Sequence, residues 1–188
     1  MTQKVVGLAG GLSRPSKTRA LVEHAVAATV EAFGATGRVY DLVDLQPSLG
    51  AAAHPGDLDA QAARVVEDLL TADALVVGSP VYKGSYTGLF KHFFDLIEPD
   101  ALLGRPVLLV ATGGGSRHAL VIEHQLRPLF GFFEAQTLPT GVYAANGDFT
   151  EGRPSAPALI ERTARAVAQF SPWLGPLGTG ARVERLSA

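Results

Sequence analysis

The stretch Gly78–Lys91, GSPVYKGSYTGLFK, directly follows the apolar run Ala74–Val77. A loop that only reverses the chain direction needs a few turn residues. This stretch instead combines the rigid backbone of Pro80, the ring of Tyr82 and a helix start near Tyr86. It therefore indicates a ligand-binding loop at the carboxyl end of a buried strand.

Apolar runs and amphipathic segments alternate along the chain. The apolar runs predict strands at Lys4–Gly10, Arg38–Leu42, Ala74–Pro80, Pro106–Gly114 and Leu138–Ala144. The amphipathic segments predict helices at Ser16–Phe33, Leu58–Leu70, Tyr86–Ile97, Ser116–Phe133 and Ala156–Phe170. This order predicts a parallel sheet with helices on both faces. Val107–Val110 is apolar throughout, as expected of a strand that is covered on both sides.

The composition is that of a globular domain. The chain has 188 residues, of which 47% are hydrophobic and 18% charged, and its formal net charge is -2. It fits one domain and lacks the basic excess of nucleic-acid-binding proteins. We predict the domain over residues 1–173 and a tail over residues 174–188, where periodicity is lost. The tail is expected to be either mobile or packed on a neighbouring subunit.

Several other classes of protein are disfavoured. The sequence has no apolar run of the roughly 18 residues that a membrane span needs, and its first residues lack the apolar region of a signal peptide. We therefore expect a cytoplasmic protein with no membrane partner. Cysteine is absent, and the five histidines lie in separate segments. We accordingly expect no disulfide and no metal site.

The loop after the first predicted strand, GGLSRPSKTR, is rich in hydroxyls and positive charge. Ser13, Ser16 and Thr18 supply the hydroxyls, and Arg14 and Lys17 supply the charge. A helix that begins near Ser16 would present free amides to a phosphate. The alternative is that Ser16 serves only as the helix cap. The spacing matches neither a dinucleotide fingerprint nor a P-loop. A monophosphate therefore suits this loop best.

The loop after the fourth predicted strand contains three consecutive glycines, Gly113, Gly114 and Gly115, after Thr112. Such a segment is either an ordinary turn or a place where the backbone approaches a flat ligand. In an open parallel sheet, ligands bind outside the carboxyl ends of the strands, where the strand order reverses. Unusual loops after strands one, three and four therefore favour a single shared site.

These residues resemble a known family. GSPVYKGSYTGLFKHFFDLI (Gly78–Ile97), VATGGG and the early serine-rich loop are similar to the NAD(P)H-dependent FMN reductases. The resemblance runs from about Lys4 to Phe170, and it is strongest to the reductase components of two-component alkanesulfonate and methanesulfonate monooxygenases. It implies a flavodoxin-like three-layer sandwich with a five-stranded parallel sheet, order 2-1-3-4-5. It also implies FMN as a cofactor, with NADPH or NADH as the reductant.

The resemblance further implies where FMN binds. Its phosphate would lie on the first loop, where Ser16 and Thr18 match the family's phosphate contacts. Its isoalloxazine would lie between the second and third loops, where the matching residues are Pro80, Val81, Tyr82, Lys83, Thr112, Gly113, Gly114 and Gly115. The polar side chains of the same loops add Ser13, Arg14, Lys17 and Ser85 as candidate contacts. The broader family often has serine and arginine where this chain has Gly11 and Ser13. Arg14 or Lys17 is then left to supply the positive charge.

Pro128 lies well inside the fourth predicted helix. A proline there offers no amide to the carbonyl of His124, so the helix must deform, by a simple kink or by a π-bulge. In the resembled reductases a one-residue insertion forms a π-bulge at a subunit interface near the flavin, and His124 lies at the matching position. This implies that the distortion at His124 and Pro128 affects assembly and flavin release. Phe130, Phe132 and Phe133 suit either an interface or the core.

We predict an NAD(P)H:FMN oxidoreductase that transfers a hydride to FMN and supplies reduced FMN to a flavin-dependent monooxygenase. The protein need only position the cofactors, so no catalytic acid or base is predicted. An FMN-retaining quinone, azo or chromate reductase and a flavodoxin-type electron carrier are the alternatives. A homodimer or homotetramer is expected.

Asp41 and Asp44 are interpreted as solvated loop charges, because the chain lacks a dinucleotide fingerprint.

Overall fold

The computed structural model describes residues 2–176 and is built around one parallel sheet. Its first four strands are β1 (Lys4–Ala9), β2 (Thr36–Asp41), β3 (Ala74–Pro80) and β4 (Pro106–Gly113). The sheet order is β2-β1-β3-β4-β5, and every pair in it is parallel. The predicted order is therefore confirmed, and the reversal of strand order lies between β1 and β3.

The fifth position of the sheet differs from the prediction. Two short strands, β5 (Gln136–Thr137) and β6 (Val142–Ala145), both pair with β4 in place of one continuous strand. Pro139 falls in the break and has no backbone N–H to give to a ladder. Gly141, also in the break, lies so close to Ile122 that an added Cβ would be 2.6 Å from its Cγ2. The helix that follows β4 thus packs into the gap.

The helices cover both faces of the sheet. They are α1 (Lys17–Phe33), α2 (Ala60–Leu70), α3 (Gly88–Asp95), α4 (Arg127–Phe132), α5 (Pro157–Ala168) and α6 (Ser171–Leu174). One apolar core joins α1 and α5 to the sheet, and the other joins α2, α3 and α4 to its opposite face. The predicted three layers are confirmed. Within residues 2–176, none of the helices is long and apolar enough to cross a membrane.

The predicted fourth helix is not continuous. A 3₁₀ turn at Ser116–His118 is followed by a π-helix at Ile122–Leu126, which leads directly into α4. The amide of Arg127 bonds to the carbonyl of Ile122, five residues earlier, as a π turn requires. Pro128 follows at once and can offer no amide to His124. The π-bulge, rather than a simple kink, is the accommodation that this helix uses.

Two further features lie near the C-terminal end of the described chain. Strands β7 (Phe149–Thr150) and β8 (Arg153–Pro154) form a small antiparallel hairpin that the sequence patterns did not predict. The predicted domain end at residue 173 falls inside α6. All but the first three residues of the predicted tail, 174–188, lie outside the described residues, so the proposed boundary stays a prediction.

Candidate functional site

Hydrogen bonds join the three predicted loops at the carboxyl edge of the sheet. The amide of Val81 donates to the carbonyl of Thr112 (2.8 Å), and the hydroxyls of Thr112 and Thr18 bond to each other at 2.6 Å. On the other side, the hydroxyl of Thr87 donates to the carbonyl of Gly10 (2.9 Å). The loops after β1, β3 and β4 are therefore braced against one another.

A shallow pocket of about 180 Å³ opens where these loops meet. Its lining consists of Lys17, Pro80, Val81, Tyr82, Thr112, Gly113, Gly114, Asn146 and Phe149. The predicted convergence of the three loops is thus present in the structure. Asn146 lies in a fourth loop, after β6, and Phe149 begins β7 directly after that loop; sequence reasoning missed both residues. The turn sequence Asn146-Gly147-Asp148 after the last strand was the available signal, because that strand ends at the same edge.

The start of α1 has the properties of an anion site. Ser16 is the N-cap, with its hydroxyl oxygen accepting from the amide of Arg19 at 3.2 Å. The amides of Lys17 and Thr18, in the first helical turn, have no carbonyl of the helix to bond to. Because the hydroxyl of Ser16 can still donate its proton, capping and phosphate binding are compatible at this residue.

The hydroxyl of Thr18 points into the protein. Thr18 is only 2% exposed, and its hydroxyl is bonded to that of Thr112. A phosphate at this helix start would therefore meet the backbone amide of Thr18 rather than its hydroxyl. Ser13 is exposed on the loop that leads into the helix.

Arg14 belongs to an ion-pair cluster at the end of β2. Its guanidinium donates to Asp41 (2.8 and 2.9 Å) and to Asp44 (2.6 Å), and Arg19 donates to Asp41 at 2.8 Å. Asp41 is 1% exposed. The interpretation of Asp41 and Asp44 as solvated loop charges is therefore wrong, because both carboxylates are ion-paired and Asp41 is buried.

The cluster fixes the charge state of its members. Burial opposes ionisation of Asp41, but the hydrogen bonds from Arg14 and Arg19 outweigh it and lower the pKa of the carboxyl. The same bonds raise the pKa of Arg14. Since Arg14 is neutralised by two carboxylates, Lys17 is the cation of this loop that faces the pocket. The ammonium of Lys17 bonds to the Oδ1 of Asn146 at 2.9 Å and lies 5.6 Å above the ring of Phe149.

The second loop is a tight turn that presents an aromatic ring. Tyr82 and Ser85 exchange two backbone hydrogen bonds, at 2.8 and 3.2 Å. Between them, Lys83 and Gly84 have φ values of 53° and 85°. Left-handed backbone at a non-glycine residue such as Lys83 is uncommon and concentrates at functional loops. The turn leaves Tyr82 52% exposed beside the pocket.

The second loop also contacts the π-helix. The hydroxyl of Ser85 donates to the side-chain oxygen of Gln125, within the π-helix, at 2.9 Å. Gln125 is a third residue that sequence reasoning missed. His124 is its immediate neighbour, and the role of His124 in assembly and flavin release stays a prediction. The contact gives the distorted helix a direct connection to the predicted flavin loop.

The third loop leaves an open backbone surface. A Cβ added at Gly114 or Gly115 would meet no atom of the described chain within 4 Å, whereas one at Gly113 would meet Tyr143. Tyr82, Gly113 and Gly114 thus line the same pocket, and the backbone at Gly114 is accessible. Among residues 2–176, no three His, Cys, Asp or Glu side chains are grouped as a metal site would need.

These residues fit FMN on chemical grounds. Its phosphate suits the free amides of the α1 start and the charge of Lys17, and its flat ring suits the space bordered by Tyr82 and Gly114. With the order β2-β1-β3-β4-β5 and a site at the strand reversal, the structure defines a flavodoxin-like α/β protein.

The chain is similar to known flavin reductases. Residues 3–150 match the family model of NADPH-dependent FMN reductases. An FMN reductase (NADPH) of Pseudomonas aeruginosa is 46% identical over 172 residues, covering 92% of each chain. The NADH-dependent FMN reductase SfnF of Pseudomonas fluorescens is 45% identical over 172 residues, again 92% of each. The chain belongs to the NADPH-dependent FMN reductase family.

Solved structures agree with this assignment. An oxidoreductase of Corynebacterium diphtheriae superposes with a TM-score of 0.77 at 35% identity, covering 92% of this chain and 97% of that one. The apo NADH:FMN oxidoreductase EmoB superposes with a TM-score of 0.78 at 29% identity, covering 95% and 91%. The protein is an NAD(P)H:FMN oxidoreductase, and FMN with NADPH or NADH are its cofactors, as the sequence predicted.

Proposed function

We propose that this protein reduces FMN as a substrate in the cytoplasm and passes the reduced flavin to a sulfonate-type monooxygenase. The shape of the site carries the proposal: the pocket is about 180 Å³ and shallow, and its ring-binding side is bordered by the half-exposed Tyr82 and the open Gly114. A flavin held there keeps an open path to solvent. The resemblance to reductase components of sulfonate monooxygenases supports the choice of partner.

The chain contributes binding and orientation to this reaction. FMN, when bound, supplies a ring that accepts a hydride from the nicotinamide. Lys17 and the free amides of α1 hold the phosphate end, and the turn at Tyr82 and the amides of Gly114 and Gly115 align the ring. None of the described residues that line the pocket is an aspartate, glutamate, histidine or cysteine. Rate enhancement is therefore proposed to come from holding the two cofactors in contact.

Steady-state oxidation of NADPH and of NADH tests this proposal. The rate should rise with added free FMN and saturate, and FMN should be preferred to riboflavin, which lacks the phosphate. Lys17→Met should raise the KM for FMN and remove most of this preference, because a charged contact to phosphate is lost. Lys91→Met is the matched control, since Lys91 lies on α3 and pairs with Asp95.

Two results would overturn the proposal. A protein that stays yellow through gel filtration and reduces a quinone without added FMN would be an FMN-retaining reductase. A protein that exchanges single electrons but oxidises neither NADPH nor NADH would be an electron carrier. For the partner, a sulfonate monooxygenase supplied with this reductase should turn over its substrate, and a system in which it does not would refute that part of the proposal.

The α3–α4 face is proposed as the self-association surface of a homodimer or homotetramer. Phe130 and Phe133 are buried in the core, but Phe132 is 66% exposed. Phe132 stands at the edge of a groove of about 580 Å³ whose apolar lining includes Tyr86, Phe94 and Leu129. A protruding ring next to a groove on the same face is self-complementary, which suits a twofold contact.

A further inference from the structure

Tyr143 connects the fifth sheet position to the third loop. It lies on β6, opposite Ala111 of β4, so its backbone is fixed by the parallel ladder. From there its hydroxyl donates to the carbonyl of Gly115 at 2.5 Å. The bond spans 28 residues of sequence. It fixes a loop carbonyl that no ladder hydrogen bond holds, because β4 ends at Gly113.

The side chain of Tyr143 also leaves no room for a side chain at one of the three consecutive glycines, Gly113. A Cβ at Gly113 would lie 2.2 Å from the hydroxyl oxygen of Tyr143 and 3.2 Å from its Cζ. No such obstacle exists at Gly114 or Gly115, where an added Cβ meets nothing within 4 Å. Neither of these two residues has a positive φ among the described backbone angles. Of these three glycines, Gly113 is therefore the one that the rest of the protein requires.

Tyr143 remains a hydrogen-bond donor at neutral pH. Burial, followed by the nearby charge of Asp148, raises the pKa of the phenol above its ordinary value. The charge of Asp148 is itself held in place, because its carboxylate accepts from the amide of Ala145 at 2.7 Å. The hydroxyl thus donates to Gly115 throughout the range in which the enzyme would work.

We infer that Tyr143 is a positioning residue of the FMN site: it holds Gly115 in place so that the loop amides face the ring, and it is the reason that residue 113 is glycine. Gly114, which lines the pocket together with Gly113, is left open for the ligand. This inference rests on the proposed FMN site. It distinguishes Gly113, whose missing side chain makes room for the Tyr143 hydroxyl, from Gly114 and Gly115, where an added Cβ would meet no described atom within 4 Å.

A double-mutant cycle tests the inference by fluorescence titration of FMN. Tyr143→Phe should weaken FMN binding about threefold to tenfold, as expected for one lost hydrogen bond. Gly113→Ala should weaken it more than tenfold, because the new methyl group collides with the hydroxyl. Adding Tyr143→Phe to Gly113→Ala should then restore most of the binding, to near the level of Tyr143→Phe alone, since the atom at 2.2 Å is gone and the Cζ at 3.2 Å needs only a small shift.

Steady-state kinetics separate positioning from general stability. Tyr143→Phe should raise the KM for FMN and leave the KM for NADPH unchanged, a split that a merely structural tyrosine would not produce. Gly114→Ala and Gly115→Ala are the controls: both should leave the melting temperature unchanged and weaken FMN binding, with no relief from Tyr143→Phe. If Gly113→Ala weakens FMN binding by the same factor in the wild type and in Tyr143→Phe, the inference is overturned.

Thermal unfolding without FMN keeps the test independent of the proposed site. Gly113→Ala should lower the melting temperature, and Tyr143→Phe should reverse most of that loss. If Gly113→Ala does not fold, folding of the double variant supports the inference, and its failure to fold overturns it. If Lys17→Met and Gly114→Ala both bind FMN with the wild-type affinity, the proposed FMN site is refuted. The thermal result for Tyr143 and Gly113 would still stand, because it is measured without FMN.

Discussion

Among the helices that begin at the carboxyl edge of the sheet, the one after β1 is regular and the one after β4 is not. Helix α1 follows β1, runs unbroken over Lys17–Phe33, and has a serine N-cap and a glycine C-cap. The helix after β4 begins with a 3₁₀ turn, passes through the π-helix Ile122–Leu126 and reaches α4 with Pro128 near its start. The first contacts the phosphate end of the proposed site, and the second contacts its ring end through Gln125 and Ser85.

The difference shows how rigidity is distributed around the site. The start of α1 is held by a buried carboxylate, two arginines and a hydroxyl pair, so its geometry depends on the fold as a whole. The π-helix touches the ring end through one side-chain hydrogen bond and continues into an exposed aromatic surface. We therefore expect changes at the α1 start to affect stability and affinity strongly, and changes at the π-helix to affect ligand exchange and assembly.

Asp41→Ala should have the largest effect. It removes the buried partner of Arg14 and Arg19, and we expect a loss of about 2 to 3 kcal/mol in the free energy of unfolding, less than for a fully buried pair because both arginines are partly exposed. Urea denaturation measures it. Asp95→Ala, at an exposed pair with Lys91, should cost at most about 0.5 kcal/mol. If Asp41→Ala loses no more free energy of unfolding than Asp95→Ala, the ion-pair cluster does not stabilise the start of α1.

The pH dependence of stability provides a second measurement of the same cluster. Because the folded pKa of Asp41 is lowered, its contribution is fully present above the unfolded value of about 3.9 and is lost as the pH falls through the folded value. Wild-type protein should therefore lose more stability below about pH 4 than Asp41→Ala does. If the free energy of unfolding falls with pH in the same way for both proteins, Asp41 is not the group responsible.

Ser16→Gly should have the next largest effect. Glycine is an acceptable N-cap, so the stability should fall by only a few tenths of a kcal/mol, while a hydroxyl contact to a charged phosphate worth about 1.5 to 3 kcal/mol is lost. FMN affinity should fall at least tenfold in a fluorescence titration, and riboflavin affinity should not change. Equal losses for the two flavins would show that Ser16 only supports the loop.

Gln125→Ala should have a moderate effect, confined to the ring end. Losing the bond to Ser85 removes about 0.5 to 1.5 kcal/mol of support from the second loop. We expect FMN to bind about twofold to tenfold more weakly, through faster dissociation in stopped-flow traces. Gln61→Ala, whose side chain bonds to the carbonyl of Asp44 at the end of β2, should leave that dissociation rate unchanged. If Gln125→Ala releases FMN at the wild-type rate, the π-helix does not affect flavin dissociation.

Phe132→Ser should change the stability of the subunit least, because the ring is already 66% exposed. Its effect should appear in the assembly: light scattering should give a smaller mass than for the wild type at equal concentration. Leu103→Ser, at a leucine that is 61% exposed, is the matched control and should not alter the mass. A wild-type mass of about 19.7 kDa at every concentration would refute the proposed oligomer.

Local patterns were enough to predict the sheet and the three loops. The strands β1, β3 and β4 are apolar along their length, and such runs indicate buried parallel strands without knowledge of their partners. The deformation of the fourth helix was predictable because Pro128 removes a specific hydrogen bond, while the choice of a π-bulge over a simple kink was implied only by the family resemblance. In each case the cause lies within a few residues of its effect.

The features that were missed depend on contacts across the chain. Asp41 lies 27 residues from Arg14, so its burial in an ion-pair cluster left no local signal. The split of the fifth strand reflects the packing of Ile122 on Gly141 as well as Pro139. The β7–β8 hairpin turns at Glu151 and Gly152, both with positive φ, and Glu-Gly is a weaker hairpin signal than Asn-Gly or Asp-Gly.

The braces among the three loops also bear on the kinetics of flavin binding. The Thr18–Thr112 hydroxyl pair and the bonds from Val81 and Thr87 order these loops when the chain folds. The conformational entropy of the loops is then lost in folding and not again when the ligand arrives. FMN should accordingly associate in a single concentration-dependent phase, without a slower rearrangement step, and variants of the site should differ mainly in how fast FMN leaves.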